Sequence, residues 1–248
     1  TFMEDEVYDD HNSWWYLVFD FQGNPDWPID HDDAYETWYM YGATLYLRYL
    51  RDRFFEGRPQ FMADLWLGLR SPWEENEPDY VDSLEALLAP FQVSFADTVV
   101  EFARWRWYVE ARDDGLHLEE ASELDDALPR VAATIQATGG TAVVRPMMIG
   151  TSYIDIVSSP DGPQEVTVSM TTNVPAGDVH WVVQFLPGVS DGSDGDMRRL
   201  PADVPLTNYQ GRVMRTIAVT ALPGVDQDID PDERTDDRYT VTIKVEPK

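Results

Sequence analysis

The sequence predicts an α+β, multidomain chain: a helical domain over residues 1–112, followed by an all-β domain over residues 113–248. Two observations carry that prediction. Up to Arg112 the chain is rich in Trp, Tyr, Phe and Leu at helical spacing; from Asp113 it turns to Val, Thr, Gly and Pro in short alternating runs. Hydrophobic residues at 43% and aromatics at 12% are enough to build cores in both parts, so neither reads as disordered.

The helical part begins with an acidic stretch, residues 1–33, whose "GNPDWPIDHDD" reads as loop. The segment Ala34 to Phe54 then reads as one buried helix. Tyr39, Gly42, Ala43, Tyr46, Leu47 and Leu50 share a face, and Trp38, Tyr41, Leu45 and Tyr49 form a second apolar face. "EGRP" stops it. A second helix is expected over Pro59 to Leu69, with Phe61, Leu65 and Leu69 in line, and "SPWEENEP" follows as a loop. Asp79 with Asp82, and Ser94 with Asp97, each carry the spacing of a capping box and mark two further helix starts. Their apolar stripes are Val81, Leu84, Leu87 and Leu88, then Phe95, Val99, Phe102 and Trp105.

Residues 116–128 read as an acidic linker or short helix. Seven strand-like runs follow at 130–137, 139–147, 151–158, 164–172, 179–186, 212–222 and 238–247, separated by Gly, Pro, Asp and Asn clusters. That count and spacing predict an immunoglobulin-like β-sandwich.

With 18 Lys and Arg against 46 Asp and Glu, the net charge is −28. Such a field repels nucleic acid and anionic membrane surfaces and attracts cations. No apolar run approaches the roughly 20 residues that span a bilayer. There is no cysteine, hence no disulfide and no thiol chemistry. The sequence starts at Thr1 without a visible signal peptide and is expected to be a processed product or a piece of a longer chain.

Hydrolase motifs are missing from these 248 residues. No HExxH occurs, and His11, His31, His117 and His180 form no i, i+4 pair; each reads as a surface or packing histidine. No GxSxG or phosphate loop occurs either. Two acidic clusters remain. Asp191, Asp194 and Asp196, and Asp226, Asp228 and Asp230, place carboxylates at close positions in loops, the oxygen-rich chemistry a calcium ion uses. They read either as solvated loops or as a weak calcium site.

The order "TFMEDEVYDDHN", "YMYGATLYLRYL", "LWLGL", "SFADTVVEFARW" resembles the region downstream of the zinc motif in secreted gluzincin-type metallopeptidases, thermolysin-like enzymes of a kind common in myxobacteria. The likeness covers residues 1–112 in order of elements and 113–248 in architecture alone, "MIGTSYIDI" being its most similar piece. It implies that Glu4 matches the last Glu of the segment whose first Glu is a zinc ligand, and that this ligand and the HExxH helix lie upstream of Thr1. It implies a secreted or cell-surface location, a zinc-bearing N-terminal peptidase half as partner, and a peptide substrate. It also implies that Tyr39, three residues before Gly42, matches a tyrosine that donates to the tetrahedral oxyanion. Related aminopeptidases have a basic residue before the glycine, where this chain has Tyr41. A core tyrosine is the other reading of Tyr39. The chain alone is expected to hold no catalytic zinc and to cleave nothing. The competing expectation is a non-catalytic extracellular binding or adhesion module.

Overall fold

The computed structural model describes residues 17–31, 37–56, 58, 60–70, 77–124, 126–157, 166–175, 177–186, 197–199, 206–209, 215–224, 229–231 and 237–247. It is α+β. Among the described residues, helices α1 (Val18–Gly23), α2 (Tyr39–Gly42), α3 (Thr44–Leu50), α4 (Phe61–Gly68), α5 (Tyr80–Leu88) and α6 (Phe95–Trp105) precede nine strands.

The aromatic helix expected over Ala34 to Phe54 is broken. Its described part is α2, a step at Ala43, α3, and a π-helical turn over Arg51–Phe55. Gly42 explains the crossing that accompanies the step. A Cβ there would lie 2.4 Å from Phe21 Cβ and 2.7 Å from the Leu17 carbonyl oxygen, so only glycine lets α1 lie this close. The second apolar face divides at the step, exposed before it and buried after it. Tyr39, Leu45, Tyr46, Tyr49 and Leu50 are buried, whereas Trp38 and Tyr41 are 60% and 43% exposed.

Both capping boxes form as expected. Asp79 Oδ1 accepts from the Val81 and Asp82 amides at 2.7 and 3.0 Å, and Ser94 Oγ accepts from the Asp97 amide at 3.1 Å. Helices α4 and α5 cross at Gly68, where a Cβ would fall 2.0 Å from Ser83 Oγ; that hydroxyl donates to the Leu65 carbonyl at 2.8 Å. No single described helix is long and apolar enough to cross a membrane.

The seven expected strands are present as β1 (Val131–Gln136), β2 (Gly140–Val144), β3 (Thr151–Val157), β4 (Val166–Thr172), β5 (Val179–Leu186), β8 (Arg215–Pro223) and β9 (Val241–Pro247). Two short strands, β6 (Met197–Arg199) and β7 (Leu206–Tyr209), were not anticipated. One sheet runs β1-β3-β8-β5-β6 and the other β2-β9-β4-β7. All pairs are antiparallel except β1 with β3. In β9, Val241, Ile243 and Val245 alternate inward with exposed or half-exposed neighbours, the pattern of a strand buried on one face. Strands β3 and β5 lose that alternation: six of eight residues in β5 are buried. Helix α6 packs on β8 and β5, covering the second face of the five-stranded sheet.

Helices and sheets meet along Phe21–Asp26. The Gln22, Pro25 and Asp26 carbonyls accept from the Arg130, Thr151 and Met147 amides at 2.9, 2.8 and 2.8 Å. The Asp26 carboxylate takes Arg130 at 2.7 Å and Arg238 at 2.5 Å. Beneath it lies Arg106, 2% exposed. Its Nε donates to Gln22 Oε1 and its Nη2 to the Phe21 carbonyl, both at 2.7 Å, and its guanidinium lies over the Phe21 ring. Gln22 Nε2 in turn donates to the Arg106 and Ala127 carbonyls at 2.9 and 2.8 Å. Tyr153 of β3 closes the seam, donating to the Ala103 carbonyl at 2.5 Å and stacking on Trp107. One apolar cluster runs from Val18 to Val245 through both parts.

Gln22→Ala would leave a buried guanidinium nitrogen and two carbonyls without partners. Urea unfolding is expected to show a loss of about 2–4 kcal/mol. A loss within about 0.5 kcal/mol, the range of an ordinary surface change, would contradict this account of the seam.

Candidate functional site

Among the described residues, one group of side chains is placed to hold a metal ion: Glu77, Asp79 and Asp230, each with a carboxylate oxygen within 4.8 Å of the other two. Local structure fixes two of them. Asp79 is the N-cap of α5, which commits its Oδ1 to two amides, and Glu77 Oε2 accepts from the Asp79 amide at 3.1 Å. Asp230 arrives from the segment before β9, so the group joins helical and β parts. Asp82 adds a fourth carboxylate, its Oδ2 lying 3.4 Å from the Asp79 amide nitrogen.

These carboxyls repel one another. Glu77, exposed, has its pKa raised chiefly by a hydrogen bond shared with Asp82. Asp79 is raised first by partial burial, with the charges of Asp82 and Asp230 adding to it. Such a group takes up a proton or a cation. An oxygen-only donor set fits a hard ion such as calcium, whose remaining positions water fills. It does not fit zinc, which takes imidazole and thiolate alongside carboxylate.

Of the six aspartates singled out in the sequence, Asp230 belongs to this group. Asp191, Asp194, Asp196, Asp226 and Asp228 lie outside the described residues. Glu77 and Asp79 were not anticipated as ligands, because the capping box accounts for Asp79 locally and nothing local links it to Asp230.

Tyr39 lies in the core. Its hydroxyl donates to the Pro28 carbonyl at 2.7 Å and approaches the Trp27 carbonyl at 3.2 Å, and its ring sits against Phe21, Trp27 and the edge of His31. Burial pushes its pKa well above the ordinary phenol value, so the group is a neutral donor. The proton is directed at two backbone oxygens. The neighbouring phenols are satisfied likewise, Tyr46 at Thr98 (2.6 Å) and Tyr49 at Glu101 (3.3 Å).

A second feature is a cavity of about 540 Å³ between the π-helical turn and the loop over residues 113–120. Asp52 reaches it from the turn. Its Oδ1 accepts from Arg51 at 2.8 Å and its Oδ2 from the Glu119 amide at 3.2 Å; burial is the main cause that raises its pKa. His117 lines the opposite wall, stacked on Tyr108, edge-on to Trp105, with Nδ1 2.8 Å from Asp114 Oδ1. A π-helical turn is a frequent mark of functional sites, but neither it nor the pairing of residues some 65 apart has a signature in the sequence.

No protein-family model matches this sequence, and no curated protein does.

Tyr39→Phe is expected to cost about 1–2 kcal/mol of stability in urea unfolding, because the Pro28 carbonyl loses its buried donor. No change in stability would show that the hydroxyl has no structural role.

Proposed function

We propose that this chain is a non-catalytic binding module of a secreted or cell-surface protein, in which a helical part and an immunoglobulin-like β-sandwich are clamped by a hard divalent cation, calcium in the first place. The observation that carries the reading is the convergence of Glu77 and Asp79 with Asp230, from opposite parts of the chain, on one point. Like charges that repel when bare become ligands when a dication sits between them. The clamp would hold the two parts at the edge, as the Arg106 seam holds them inside.

A second reading is favoured by the order of elements, helices first and two sheets after, which is the order the gluzincin resemblance implies. Under it the chain is the C-terminal portion of a secreted zinc metallopeptidase-like protein. The zinc, its HExxH ligands and the peptide substrate would then belong to an N-terminal peptidase half, and this chain alone would be inactive. With its hydroxyl held by Pro28 and Trp27, Tyr39 would support that half by keeping α2 in place. The two readings are compatible.

Calcium at about a hundred times its dissociation constant should stabilise the chain by about 2.7 kcal/mol, a rise of roughly 5–10 °C in melting midpoint. Asp230→Asn should abolish the rise while leaving the chelator-treated protein as stable as the parent or more so. An equal calcium response in parent and variant would overturn the clamp. For the second reading, the isolated chain should hydrolyse no peptide with or without zinc; zinc-dependent cleavage by these residues alone would refute it.

A further inference from the structure

The cavity beside the π-helical turn is not used by either reading, and its charges do not balance. Five carboxylates line it, Asp52, Glu56, Asp113, Glu119 and Glu120, with one guanidinium, Arg51. Arg51 is shared between Asp52 at 2.8 Å and Glu119 at 2.7 Å, so that trio keeps a net negative charge. Glu120 is met from behind by Arg48 at 3.3 Å. Glu56 and Asp113 have no cationic partner among the described residues; the Asp113 carboxylate accepts only the Gly115 amide, at 2.9 Å. The imidazole of His117 is clamped in the wall by Tyr108, Trp105 and Asp114. Its Nδ1 lies 2.8 Å from Asp114 Oδ1.

We infer that this cavity is a binding site for an extended organic cation, an alkyl ammonium or guanidinium group with a short aliphatic stem. Size and spacing select that class over a metal ion. The volume suits a small molecule or a long side chain. The lining carboxylates, unlike Glu77, Asp79 and Asp230, do not gather their oxygens within chelating distance of one another. A cation with several N–H donors along a stem suits carboxylates set apart around one cavity, and the buried Leu118 offers that stem an apolar contact. The cation has two possible sources, a free amine or a Lys or Arg side chain of a polypeptide.

Titration calorimetry of the whole chain, at fixed ionic strength and saturating calcium, tests this with 1,5-diaminopentane, agmatine and the uncharged 1,5-pentanediol. The two cations should bind one to one and the diol not at all. Glu56→Gln and Asp113→Asn should each weaken binding by about five-fold or more. The exposed Asp178→Asn, away from the cavity, should leave it unchanged. Circular dichroism confirms that each variant is folded; Glu56 is exposed, and an asparagine in place of Asp113 would keep the turn, so neither change should unfold the chain. Tighter binding of a short Arg- or Lys-containing peptide than of agmatine would assign the cation to a polypeptide, and the reverse to a free amine; both uphold the site. Equal weakening by all three substitutions would reduce the effect to the general field of a −28 protein and overturn the proposal, as would unchanged affinity in the Glu56→Gln, Asp113→Asn double variant.

Discussion

A guanidinium that cannot lose its proton lies almost wholly out of water at Arg106, and the rest of the architecture is arranged around it. Burial makes the charged form costly. Among the described residues no carboxylate pairs with it. The charge is instead spread over neutral acceptors, the Phe21 carbonyl and Gln22 Oε1, and over the Phe21 and Phe102 rings. Those acceptors belong to α1, so α1 can sit nowhere else. Once it is there, Gly42 must lack a side chain, and Gly150 must too, since its Cβ would fall 2.3 Å from the Asp26 carbonyl oxygen. Two glycines far apart in sequence thus answer to one buried charge.

The same constraint explains why the two parts are hard to separate physically. A seam between independent units is usually polar and modest. Here Tyr153, Trp107 and Arg112 form a stacked run, with the Arg112 guanidinium 3.5 Å from the Trp107 ring centre, and apolar packing continues on either side. A cation at Glu77, Asp79 and Asp230 would act where solvent reaches. It would adjust how firmly the edge is held without being needed for the core.

What the sequence made legible is what is encoded locally. Asp79 with Asp82, and Ser94 with Asp97, announce helix starts because an N-cap and its third residue bond each other. The seven longer strands show because β-branched runs end in turn residues. Strands of three and four residues, β6 and β7, offer too few positions for a period. The step at Ala43 was hidden because the aromatic stripe continues through it, and what breaks it is α1, which no local pattern announces. The site divides the same way. Asp230 stood out within an acidic loop, whereas its union with Glu77 and Asp79, and that of Asp52 with His117, depends on how distant segments pack.

The pairing of Asp26 with Arg238 has a consequence in time. These residues are 212 apart. A ribosome adding 5–20 residues per second needs roughly ten to forty seconds to cover that span. For that interval the helices can form and cap themselves, but the Asp26 carboxylate and strands β2 and β4 of the four-stranded sheet, which β9 joins, wait for their last partner. The helical part therefore spends that interval with this side of the seam still open. The dense negative charge it already carries keeps neighbouring copies apart until β9 arrives.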